Sequence, residues 1–236
     1  MTDSTIAAAE HTFLFEFELP TDLPGSFHLA SFAENGIRDL DAHIEFILTA
    51  SVEVDGWTAS DLECSEQITV HSTHSSATKP VEQSVTEQVR FLCCLIRGTC
   101  HVRLGMDKDT YHLEDIAQIQ CHVANNSFVD VNYLRCFLWQ DLTLDLNGRA
   151  RRFSRQMTWA MFPGVRAGTI LHVPQGMKIH AQTDQGEMNV TTHGKLVQCA
   201  YRVEMECSIP LCPDVILQLP VTVVAHDTSK PSLSIA

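Results

Sequence analysis

The sequence predicts an all-β protein of the sandwich class. Three observations carry that prediction. Long stretches alternate apolar and polar residues with period two. Turn-forming residues separate them. No stretch keeps a helical period for more than two turns.

The elements follow in order. In HTFLFEFELP, Phe13, Phe15, Phe17 and Leu19 fall on every second position, which describes a strand with one buried face. DLDAHIEFILTASVEV, residues 39–54, alternates along its whole length and predicts one long strand. QITVH, 67–71, adds a short one. Residues 72–88 are polar without a period and read as a linker. Beyond it, Cys100, Val102, Leu104 and Met106 share a face, as do Ala117, Ile119, Cys121 and Val123. A long strand over 131–146 ends at Asn147-Gly148, the strongest short hairpin signal. A short strand at 168–174 precedes two more. One carries Val197, Cys199, Tyr201, Val203, Met205, Cys207 and Ile209 on a single face, and the other spans 215–224.

About seven strands follow the linker, enough for one sandwich, and only about four precede it. The predicted organisation is an incomplete first sandwich over 1–71, a linker over 72–88, a complete second sandwich over 89–227 and a short disordered tail over 228–236.

Composition narrows the function classes. The 236 residues are 44% hydrophobic and 19% charged, with a formal net charge of −13. Nucleic-acid binding rests on neutralising phosphates, so an acidic chain argues against it. The first residues carry no leader pattern, and the longest apolar run, FLCCLI, is far shorter than the roughly 20 residues of a membrane span. The expectation is a cytoplasmic protein whose nine cysteines are thiols.

The order of several stretches resembles the arrestin superfamily, closest to its arrestin-domain-containing (α-arrestin) branch. They are HTFLFEFELPTDLPGSF, GIRDLDAHIEFILTASV, FLCCLIRGTCHVRLGMDKDTYHLEDIAQIQCHVANNS, GKLVQCAYRVEMEC and ILQLPVTV. The resemblance runs from about residue 9 to 225. It implies tandem immunoglobulin-type sandwiches and places the Phe-rich stretch mid-way through the family's N-terminal domain, which would here be truncated. It further implies a non-enzymatic adaptor or scaffold in membrane-protein trafficking, peripheral at the plasma membrane or endosomes, whose partners are cytoplasmic segments of membrane proteins; the alternatives are an anion- or phosphoinositide-binding sandwich and an inactive fragment of a longer arrestin-like protein.

Two departures limit what carries over. The stretch ECSEQITVHSTH has no arginine to build the family's buried ionic cluster with Asp184 and Glu187. The chain also lacks a Pro-Pro-x-Tyr motif for WW-domain ligases.

No catalytic motif is present, and no cofactor is expected. Cys93, Cys94, Cys100, His101, Cys121 and His122 raise the question of a metal, but Cys100 and Cys121 occupy apolar strand positions and read as core. The sharpest charged feature is Arg149, Arg151, Arg152 and Arg155 after the Asn-Gly turn. Such charges protect an exposed strand edge, or they form an anion site for acidic phospholipids or a phosphorylated tail. Alternation predicts that Arg149 and Arg151 share one outward face, with Arg155 beside them and Arg152 opposite.

Overall fold

The computed structural model describes residues 9–34, 37–54, 60–72, 78–92, 94–180, 182–183 and 186–225; the side chains of 31–39 and 182 are outside the description. The described chain is all β. Its strands are β1 (Phe27–Glu34), β2 (Ile37–Ile44), β3 (Phe46–Val52), β4 (Leu62–Ile68), β5 (Val81–Phe91), β6 (Leu95–Met106), β7 (Thr110–His112) and β8 (Ile116–Ser127). They continue as β9 (Tyr133–Leu146), β10 (Arg149–Phe162), β11 (Ile170–Lys178), β12 (Gln182–Thr183), β13 (Gly186–Glu187), β14 (Thr192–His193), β15 (Val197–Ser208) and β16 (Val215–Val224).

The main body is a sandwich. A six-stranded sheet runs β10-β9-β15-β16-β7, with β14 also on β15, and faces a four-stranded sheet, β11-β8-β6-β5. Alternation drives this. Every odd residue from Val197 to Ile209 is buried, as are Leu134, Cys136, Leu138, Leu142 and Leu144 of β9. Cys100, Val102 and Leu104 of β6 and Ile119, Cys121 and Val123 of β8 close on them from the other sheet. Asn147 and Gly148 both have positive φ, 56° and 77°, the backbone of a two-residue hairpin turn.

The quoted motifs turn out to be corner pieces. In the Asp-Lys-x-x-Tyr turn, the fully buried Tyr111 donates to Asp107 at 2.7 Å. Lys108 sits 4.8 Å from that ring and bonds Asp115 at 2.8 Å. In the Asn-x-Ser turn, buried Asn125 donates to the carbonyls of Val129 and Val165 and accepts from Ser127 Oγ at 2.7 Å. Gly98, at φ 113°, packs so closely that a Cβ there would meet the Asn126 carbonyl oxygen at 2.4 Å.

The structure differs from the sequence reading in several places; the short strand expected at 67–71, for one, runs over Leu62–Ile68. Residues 81–88 of the expected linker lie in β5, paired along β6. This strand buries only Val89 and half-buries Val81, Val85 and Phe91, so its polar composition is that of an edge strand. The expected long strand over 39–54 is broken at Glu45, and its halves pair with different partners: β2 with β1, and β3 with β4. The Phe-rich stretch forms no strand, and Phe13, Phe15 and Phe17 are 66%, 63% and 51% exposed, because no described strand lies beside them. The expected tail lies outside the described residues.

The β1–β2 hairpin docks on the sandwich. Phe27 and Leu29 join its apolar cluster. Asn189 Oδ1 accepts from His28 N at 3.1 Å, Thr192 Oγ1 donates to Gly25 O at 3.1 Å, and Ser72 Oγ donates to Thr191 O at 3.1 Å. The β3–β4 ribbon is exposed along most of its length.

Candidate functional site

The sequence singles out the arginine hairpin at the end of β9. A two-residue turn returns the chain so that paired residues share a face. Arg149 pairs with Leu146, Arg151 with Leu144, Phe153 with Leu142 and Arg155 with Gln140. Arg149, Arg151 and Arg155 therefore stand on the core side of the sheet, not the outward side that the sequence suggests, while Arg152 stands on the other. Arg149 and Arg151 still reach solvent, since β10 is the rim strand.

Arg155 is set apart by its partner. Its Nε donates to Gln140 Oε1 at 3.0 Å, and its terminal NH₂ contacts the same oxygen. Gln140 is fully buried; its Nε2 donates to Tyr201 Oη at 2.7 Å, and that hydroxyl donates to the Asn189 carbonyl at 2.5 Å. Burial raises the Tyr201 pKa well above the usual range, so the phenol stays a donor. The chain Arg155–Gln140–Tyr201–Asn189 thus ends at the docked β1–β2 hairpin. Of the four arginines, Arg155 is structural, and Arg149, Arg151 and Arg152 form no salt bridge among the described residues.

The cysteine–histidine set does not converge. Cys100 and Cys121 are fully buried, whereas His101 and His122 lie on the opposite faces of the same strands. Burial pushes the Cys121 thiol up to about 12, far from the thiolate a metal needs. Cys94 is exposed and Cys93 lies outside the described residues. Among the described residues, no three His, Cys, Asp or Glu side chains gather closely enough to hold a metal. Asp184 also lies outside the described residues, and Glu187 is exposed.

A second feature escaped the sequence reading. β7 pairs with β16 only over Thr222–Val224, so the first half of β16 has β15 on one side and no strand on the other. It faces β5, the rim of the opposite sheet. Between the two rims lies a groove of about 460 Å³, lined by buried Val89, Ile209 and Val215, half-buried Val85 and exposed Arg90, Asp214 and Ile216. Leu92 N donates to Leu211 O at 3.0 Å near one end, and Gln218 N to Gln83 Oε1 at 3.0 Å near the other. Only the rim character of β5 would have signalled it, and the polar composition hid that.

The fold and these rims define an all-β sandwich protein with exposed strand edges and no assembled catalytic constellation among the described residues. The chain is similar to Arrestin domain-containing protein A of Dictyostelium discoideum, at 21% identity over 227 residues. The similarity covers 94% of this chain and 36% of that protein, so the chain spans little more than a third of its relative's length. No known family profile matches the sequence.

Proposed function

We propose that the protein is a non-enzymatic, arrestin-like adaptor in membrane-protein trafficking, working at the cytoplasmic face of a membrane. It binds extended cytoplasmic segments of membrane proteins by strand addition. The observation that supports this reading most is the groove between β5 and β16, where two strand rims meet beside apolar side chains such as Val85, Val89, Ile209 and Val215. Backbone groups on a rim bind any extended chain, and pockets between alternate side chains select among them. The similarity to an arrestin-domain protein agrees with an adaptor role.

The test is direct binding of synthetic peptides that tile the cytoplasmic segments of candidate membrane proteins, read by fluorescence anisotropy. Bound peptides should be lost on Val85→Glu with Ile216→Glu, which put charge at the groove. They should be retained on Arg149→Ala with Arg151→Ala. Binding that ignores the groove variants would refute this mode of recognition.

A second reading rests on Arg149 and Arg151, two exposed guanidinium groups on one face of the hairpin. This pair would hold an anion of a phosphorylated segment or a lipid head group.

A further inference from the structure

The solvent face of the four-stranded sheet carries a cluster that neither reading uses. On β8, His122 pairs with Arg103 of β6 on one side and His172 of β11 on the other. His101 sits on β6, diagonal to His122 and two residues before Arg103. Ring centroids are 6.2 Å apart for His101 and His122, and 5.8 Å apart for His122 and His172. We propose that this face is a proton-dependent docking surface for an anionic phospholipid membrane, carried by His101, His122, His172 and Arg103.

Charge complementarity selects the occupant. In a chain of net charge −13, this face is charge-balanced, with Arg103 and Lys178 each matched by a carboxylate, so every histidine that gains a proton adds net positive charge. From β5 it receives Glu82, 3.9 Å from Arg103, and Thr86, which shares a 2.8 Å hydrogen bond with His101 Nδ1. From β11 it receives Lys178, held 2.6 Å from Glu114. β8 contributes only neutral groups beside His122: Ile116, Gln118, Gln120, Ala124 and Asn126. The face is also apolar at both ends, with Ile170 68% and Ile116 55% exposed on the same side as the histidines. A broad sheet face whose histidines become cationic on protonation, set between exposed isoleucines, matches an anionic lipid surface, where charge meets head groups and side-chain methyls enter the interface.

The proton dependence follows from crowding. Partial burial first, then Arg103, His172 and His101, hold the His122 pKa below its ordinary value, so the free protein resists protonation there. An anionic surface supplies the missing counter-charge and raises the pKa of the bound state. Binding therefore takes up protons and tightens as pH falls.

The experiment is co-sedimentation of the full chain with phosphatidylcholine vesicles, with and without phosphatidylserine. Affinity for the anionic vesicles should rise between about pH 7.5 and about pH 6, by roughly fivefold for each histidine that gains charge. His122→Gln with His172→Gln should abolish most of that rise. These side chains lie on a solvent face, and unchanged thermal unfolding at about pH 7.5 checks that the variant is folded. Arg149→Ala with Arg151→Ala should keep the full rise, which separates this face from the hairpin. Absence of binding at about pH 6, equal binding to vesicles without phosphatidylserine, or an undiminished rise in the histidine variant overturns the proposal.

Discussion

Gln140 decides what the hairpin arginines do. It is buried with every polar atom of its amide engaged, taking the Arg155 guanidinium and giving to Tyr201. Gln140→Leu removes the buried amide that accepts from the Arg155 guanidinium and a hydrogen bond from a buried phenol, a loss of about 1–3 kcal/mol. Arg149→Ala with Arg151→Ala should change stability by less than about 0.5 kcal/mol. Urea unfolding would compare the two, and equal midpoint shifts would contradict the division. The register was legible in the sequence, since Asn147-Gly148 sets Arg155 opposite Gln140. The inward parity of 140 was legible too, because Leu138 and Leu142 flank it. What stayed hidden was the third partner: nothing local joins residue 140 to Tyr201, which arrives from a later strand.

Whole elements were legible in proportion to how completely their two faces differ. β15 lies mid-sheet between β9 and β16, with one face in the core, and its odd residues all read correctly as buried. β5 has core on one side of a rim, so only every fourth position needs an apolar side chain and the period fades. The β2–β3 break at Glu45 was illegible because alternation continues through it; only the change of partner from β1 to β4 marks the joint. The β3–β4 ribbon buries almost nothing, with Ile47 and Leu62 left exposed. A lone two-stranded ribbon is marginal in water. Amide hydrogen exchange should therefore be fast throughout β3 and β4 and slowest in β9 and β15. Comparable protection in the ribbon and the central strands would show that another surface covers it.

At the scale of the molecule, the small hairpin and the large sandwich meet through a handful of polar contacts and through apolar side chains, Phe27 and Leu29 in the core cluster with Leu40, Ala42 and Ile44 packed against it. Thr192→Val with Asn189→Ala removes two of the hydrogen bonds, at about 1 kcal/mol each. Exchange at Phe27–Leu29 should speed up while β9 and β15 keep their protection. A parallel loss in β9 would mean that hairpin and sandwich unfold as one cooperative unit. The docking was not legible in the sequence, since its hydrogen bonds run between residues far apart in the chain. The parallel pairing of β7 with β16 has a consequence for biosynthesis. Thr110 finds its neighbour only in Thr222, on the last of the described strands to be translated. A ribosome that has already extruded β5 through β15 still holds a sandwich with one sheet rim bare. The nascent chain must therefore wait, with apolar surface uncovered, until β16 emerges to lock β7 in place.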